Sequence, residues 1–239
     1  MIRVSHLSKT FEDHVVLNDL SFDVAEGEIV AILGESGTGK SVLLKHLMGL
    51  MRPDEGVVTI DSQDITNFTE NDLLKLRQRI GYLFQEGALY DFMSVFENIA
   101  FPLKEHNMLD KNAIQEKVKK ALELVDLQGE EEKMPSELSG GMKKRVGLAR
   151  AIIMDSKILF CDEPTTGLDP IHSRDIMDLI SQISRKLHCT TLITSHDIPN
   201  SFRIADRLIL LKDGKIAAMG APKDIQECQN VFVKEFISA

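Results

Sequence analysis

Eight consecutive residues, Gly34, Glu35, Ser36, Gly37, Thr38, Gly39, Lys40 and Ser41, fit the pattern G-x-x-x-x-G-K-[ST]. Polyphosphate needs many hydrogen-bond donors at short range. Glycines let main-chain N–H groups curl around such a group, and a helix start adds its positive end. The pattern assigns Lys40 to the β and γ phosphates and Ser41 to a Mg²⁺ ion. It lies where that chemistry needs it, after an apolar run at 29–33 and before a helical run at 42–50 that opens with Val42. A ligand-free glycine-rich turn is the other reading. In a chain of this length the full pattern arises by chance on the order of one time in a hundred, so the phosphate reading is preferred.

Two more groups could serve the same chemistry. The apolar run before Asp162 and Glu163 reads as a buried strand ending in two carboxylates. Beside a phosphate cradle the two have separate tasks: Asp162 to hold Mg²⁺ through water, and Glu163 to position or deprotonate the attacking water. An acidic turn capping a helix is the alternative for that pair alone. Ser139, Gly140 and Gly141 precede a helical run at 143–153 and form a second helix-start anion site. Within one chain that site duplicates the phosphate loop, and a plain helix cap is its alternative.

These residues need a scaffold, and short β-branched runs alternating with helical patterns predict an α/β fold with a mostly parallel sheet. Near-continuous apolar runs at 29–33, 158–161, 190–194 and 208–211 read as strands buried on both faces. Segments 2–5, 15–24 and 57–60 read as an antiparallel layer, with turn residues at Glu26, Gly27 and 54–56. The strand signal disappears over 86–156, which reads as an inserted helical subdomain of a single domain spanning 1–239. Asp110 reads as the N-cap of a helix over 111–125, and 171–188 reads as a second amphipathic helix.

The chain has 239 residues, 43% of them hydrophobic and 27% charged, the profile of a globular protein rather than a disordered or fibrous one. With 28 Lys and Arg against 37 Asp and Glu, its net charge of -9 argues against a nucleic-acid partner bound by bulk electrostatics. Cys161, Cys189 and Cys228 lie far apart without C-x-x-C spacing, so neither a disulfide framework nor a zinc site is expected. No signal peptide is expected, and no apolar run approaches the roughly 20 residues of a membrane helix.

With LSGGM at 138–142, the motifs resemble those of the ABC ATPase family, whose signature is LSGGQ, and the resemblance covers essentially the whole chain. It implies a P-loop NTPase core, RecA-like, with an N-terminal antiparallel β subdomain and an inserted α-helical subdomain. ATP and Mg²⁺ are the implied cofactors, and a head-to-tail homodimer the implied active state. Ser139, Gly140 and Gly141 of one copy would then close over the γ-phosphate held by Lys40 of the other. The resemblance extends nucleotide binding to Val42 and gives Phe11 the adenine-stacking role. Gln85 would contact Mg²⁺ or the attacking water, Asp169 the dimer partner, and His196 the γ-phosphate. Met142, where the signature usually has Gln, is a departure that questions fine positioning rather than hydrolysis.

Residues 36–50 and 87–103 further resemble ATPases of Mla-type lipid-trafficking systems. The resemblance implies phospholipid transport, an integral membrane permease, an MCE-type substrate-binding protein, a small accessory subunit, and a cytoplasmic position on the inner face of the cell membrane. Leu89, Tyr90, Phe92, Met93, Val95 and Phe96 would suit a groove for a short helix of the permease, or simply the core of the helical subdomain. A cell-division regulatory subunit and an importer of another substrate share every catalytic residue. Long inserted coiled coils and a second cassette, the marks of DNA-maintenance and translation-associated relatives, are missing from the sequence.

Overall fold

The structure, a computed structural model, describes residues 1–106 and 110–238. Along the chain the elements are β1 (Ile2–Phe11), β2 (His14–Val24), β3 (Ile29–Leu33), α1 (Lys40–Leu47), β4 (Glu55–Ile60), β5 (Gln63–Asp64), α2 (Glu70–Arg77), β6 (Ile80–Leu83), α3 (Val95–Glu105) and α4 (Lys111–Leu124). After a 3₁₀ turn at Pro135–Glu137 come α5 (Gly140–Ile152), β7 (Ile158–Asp162), α6 (Pro170–Leu187), β8 (Thr190–Ser195), α7 (Ile198–Ile204), β9 (Arg207–Lys212), β10 (Lys215–Gly220), α8 (Pro222–Gln226) and α9 (Val231–Ser238). They form two compact units, Met1–Arg77 with Thr190–Ala239, and Gln78–Cys189.

The first unit holds an antiparallel layer ordered β2-β1-β4-β5. Ile2, Val4, Leu20, Phe22 and Val24 are buried while Arg3, Ser21 and Asp23 face solvent, the alternation of a sheet covered on one side. In the same unit β3 is parallel to both β8 and β9, and β10 adds antiparallel to β9. All five residues of β3 are fully buried, which explains its unbroken apolar sequence. The Ile29 N–H donates to the Asp206 carboxylate at 2.8 Å, tying the start of β3 to the start of β9. Phe232 and Phe236 of α9 pack on a cluster that includes Leu208 and Leu210.

In the second unit β6 and β7 pair in parallel, from Ile80 opposite Ile158 to Leu83 opposite Cys161. Gly81 lets β6 press against α5: a Cβ there would lie 2.2 Å from the Ala151 carbonyl oxygen. Ser94 and Glu97 form a reciprocal capping box at the start of α3. Asp110 caps α4 by accepting from the Ala113 N–H at 2.9 Å. Two helices start earlier than their apolar spacing predicts, α1 at Lys40 rather than 42 and α5 at Gly140 rather than 143. Their first two residues, Lys40 and Ser41 in α1 and Gly140 and Gly141 in α5, are polar or glycine and carry no apolar period to read. β6, β10, α2 and α7 to α9 are too short for a clear periodicity, and α3 contains Pro102. No helix among the described residues is long and apolar enough to cross a membrane.

Candidate active site

In the first unit the phosphate loop leaves the C-terminal end of β3 and folds back on itself. Gly34 is packed so closely that a Cβ would lie 2.7 Å from Thr38 Oγ1 and 2.9 Å from the Leu211 carbonyl oxygen. The Thr38 hydroxyl donates to the Glu35 carbonyl at 2.9 Å. Lys40, 6% exposed, donates from Nζ to the Gly34 and Glu35 carbonyls at 2.7 and 3.0 Å, so its ammonium is held inside the loop. Gly39 takes a left-handed φ of 94°, and a Cβ there would lie 2.7 Å from the Leu17 side chain. It is the N-cap of α1 and has no capping side chain, so the positive end of the helix is not covered by the residue before it. Glu35, Ser36, Gly37 and Ser41 are exposed, and Val42 is half-buried. A bare glycine backbone, a fixed lysine and a helix start are what a phosphate chain requires.

His196 belongs to the same edge. Leu33 of β3 pairs in parallel with Ser195 of β8, so the residues that follow, Gly34 and His196, leave neighbouring strands at one level. His196 is exposed. The turn after it is fixed by the Asp197 N–H donating to Ser195 Oγ at 2.9 Å, and by Asp197 capping α7 at the Asn200 N–H. Phe11 ends β1 at the tip of the β1-β2 hairpin, with Lys9 Nζ 5.6 Å from its ring centroid. At 41% exposed it is not a core phenylalanine.

In the second unit the register Leu83 opposite Cys161 brings the strand ends carrying Gln85, Asp162 and Glu163 to one edge. The Tyr82 hydroxyl donates to Asp162 Oδ2 at 3.0 Å. Burial first, and the Asp162 charge second, push this hydroxyl above its ordinary pKa, so it stays a donor. Glu163 turns out of β7 with a left-handed φ of 47°, an unusual conformation for a glutamate. Among the described residues no cluster of three or more His, Cys, Asp or Glu could hold a metal. A divalent ion at Asp162 would take its other ligands from hydroxyl, water and phosphate oxygens, a donor set that fits Mg²⁺.

Ser139 is the N-cap of α5, its hydroxyl accepting from the Met142 N–H at 3.3 Å. Cβ atoms on Gly140 and Gly141 would meet only ordinary contacts, 3.6 Å to Leu168 and 3.7 Å to His172. Neither glycine has a positive φ. Packing inside the unit therefore does not demand glycine at either place. Asp169 caps α6, accepting from the Ile171 and His172 N–H groups at 3.0 and 3.2 Å and from His172 Nδ1 at 2.5 Å. The His172 side chain, then its N–H, hold the Asp169 carboxyl below the usual range.

Several residues that shape these groups are missed by sequence reasoning: Tyr82, Lys144, Arg150 and His172. Only Lys144 had a readable signal, a charge falling on the stripe that also carries buried Leu148 and Ala151. The apolar cluster after Gln85 divides. Val95 is core, Leu89, Met93 and Phe96 are half-buried, and Tyr90 and Phe92 are exposed, Phe92 by 74%. Tyr90 stacks obliquely on both Phe92 and Phe101.

The profile of the ABC transporter family matches residues 17–166. The chain is 40% identical to the intermembrane phospholipid transport system ATP-binding protein MlaF of Haemophilus influenzae, over 99% of this chain and 90% of that protein. It is 38% identical to a probable ribonucleotide transport ATP-binding protein, mkl, of Mycobacterium leprae, over 99% of this chain and 68% of that one. A dimeric post-hydrolysis state of the ATP-binding cassette MJ0796, bound to ADP and Pi, superposes with a TM-score of 0.84 at 29% identity, covering 93% of this chain and 99% of that one. With its glycine loop, strand-end carboxylates and LSGGM helix start in place, the chain belongs to the ABC transporter family, as an ATP-binding subunit.

Proposed function

We propose that this protein is the ATP-hydrolysing motor of a membrane ABC transporter that moves phospholipid, working as a head-to-tail homodimer. The phosphate loop carries the reading: Lys40 is buried and held on two loop carbonyls, in front of a helix start without a capping side chain. In this reading residues 34–42 grip the phosphates, Phe11 stacks on adenine, and Ser41, Asp162 and Gln85 hold Mg²⁺, which would neutralise charge on the phosphates. Glu163 takes the proton of the attacking water, and His196 steadies the γ-phosphate. Ser139, Gly140, Gly141 and Asp169 act on the partner's nucleotide. That Gly140 and Gly141 are not required by their own unit supports an approach by something outside it. Residues 86–156 serve as the helical subdomain of a single ATPase domain.

The partners we assign are an integral permease seated on Tyr90 and Phe92, an MCE-type substrate-binding protein and a small accessory subunit, with the motor on the inner face of the cell membrane. Phospholipid is preferred to ribonucleotide because the MlaF relative is matched over 90% of its length and mkl over 68%.

The test is reconstitution of the chain with its co-purified permease in vesicles carrying labelled phospholipid. ATP-dependent transfer is expected, and Glu163→Gln should keep ATP binding, trap an ATP-bound dimer and stop both hydrolysis and transfer. Wild-type turnover in Glu163→Gln would remove the base assignment. Stimulation by ribonucleotide and not by lipid would overturn the cargo.

A further inference from the structure

One face of α5 is fastened to the main chain of residues 85–88. Lys144, 4% exposed, donates from Nζ to the Gln85 carbonyl oxygen. One turn later Gly147 brings the helix against the loop: a Cβ there would lie 3.1 Å from Gly87 Cα and 3.2 Å from the Gly87 carbonyl oxygen. Gly87 has φ 76°, and a Cβ on it would lie 2.9 Å from the Lys143 carbonyl oxygen. After another turn Arg150 donates to the Gly87 and Ala88 carbonyls at 2.7 and 2.8 Å. Its guanidinium stands 6.0 Å from the Tyr90 ring centroid. Positions 144, 147 and 150 form one i, i+3 stripe.

Burying a cation is costly when apolar residues of similar volume would pack the same helix. Burial is the largest influence on both groups and lowers both pKa values; for Lys144 the negative charges of Glu86 and Glu163 oppose it. Lys144 is thus buried while bonded to the main chain of Gln85. Ser139 begins the helix that carries it.

We propose that Lys144 is a positioning residue for hydrolysis, holding the Gln85 main chain to the helix that Ser139 caps. Arg150 anchors the part of the same loop that leads to the exposed Tyr90 and Phe92. The inference rests on the ATPase reading for its catalytic part, and its geometric part is measurable without turnover.

The experiment compares Lys144→Met and Lys144→Arg with the wild-type chain. In Lys144→Met, amide hydrogen exchange at residues 85–88 should rise about tenfold with β3 and α1 unchanged, because the Gln85 tether is gone. Its kcat should fall about tenfold at unchanged KM and unchanged ATP affinity, since the phosphate loop is untouched. Lys144→Arg should restore protection and most of kcat. Unchanged exchange overturns the tether, and a loss of ATP affinity matching the loss of kcat overturns the positioning role. If the wild-type chain hydrolyses no ATP, the ATPase reading fails while exchange still decides the tether. Should Lys144→Met melt below the assay temperature, Lys144→Leu, which also lacks a donor, carries the same expectations.

Discussion

Asp162 and Glu163 are neighbours in sequence, yet different forces set their side chains. Asp162 closes β7 in an extended conformation and receives the Tyr82 hydroxyl, whereas Glu163 is turned aside by its left-handed backbone. A left-handed conformation costs a non-glycine residue about 1–2 kcal/mol, and such strain persists where the surroundings enforce it. The chain thereby aims two adjacent carboxylates in different directions, which suits one metal-holding and one water-activating role. Tyr82→Phe would remove a hydrogen bond to a carboxylate, worth about 1.5–3 kcal/mol, while keeping the ring that packs 4.4 Å from Phe84. We expect the Mg²⁺ concentration for half-maximal hydrolysis to rise about tenfold with nucleotide binding in EDTA unchanged. A magnesium titration of the two proteins decides it, and identical curves would leave Tyr82 without the role.

At the scale of elements, α1, which starts at the end of the glycine-rich loop, also carries a buried histidine. His46 is 2% exposed, with Nδ1 against the Val42 carbonyl at 2.8 Å and Nε2 without a hydrogen-bond partner among the described residues. Burial, aided by the Lys9 charge, holds its pKa below 6.5 against the opposing pull of the Val42 and Arg52 carbonyls and Asp54. Below about pH 6.5 the unfolded chain therefore binds a proton that the folded one resists. This contribution to stability is complete above that pH and declines as pH falls toward the folded value. His46→Leu removes that dependence and replaces a buried imidazole by an apolar side chain. The variant should be the more stable protein, by a wider margin at about pH 5.5 than at about pH 7.5. Urea unfolding at both values checks it; parallel pH dependences would show that His46 does not titrate on unfolding. Another element-scale device is Asn98 of α3, fully buried and bonded through Nδ2 to the Tyr90, Met93 and Ser94 carbonyls. Its Oδ1 accepts from the Tyr90 N–H, so the loop bearing Phe92 is held from the helix beneath it.

For the whole molecule, a single chain carries a glycine-rich loop before α1 and a second glycine-rich helix start at Ser139, Gly140 and Gly141, whose glycines the packing of its unit does not require. In a head-to-tail dimer each nucleotide would meet Lys40 of one copy and Ser139 of the other. A mixed dimer with Lys40→Ala on one chain and Ser139→Arg on the other has both lesions in one site, so it should keep roughly half the wild-type hydrolysis. Placing both substitutions on one chain beside a wild-type partner damages both sites and should abolish it. Tagged co-expression and ATPase assay distinguish the two arrangements. Equal activities, or none in the first, would exclude the composite site.

Much of this was legible because its information is local. The glycine spacing of residues 34–41, the five-residue apolar run of β3 and the carboxylates ending β7 each follow from backbone geometry and burial over a few residues. Tertiary structure alone decided which polar groups steady them. Tyr82 reaches Asp162 across 80 residues, Lys144 reaches the Gln85 carbonyl across 59 and Arg150 the Gly87 and Ala88 carbonyls across 63 and 62; only the charge of Lys144 on a buried stripe left a trace in sequence, and that trace does not name its partner. It also decided how one apolar stretch is divided, with Val95 buried in the core and Phe92 left in solvent. Hydrophobicity is a property of each residue, whereas burial depends on what the rest of the chain brings against it.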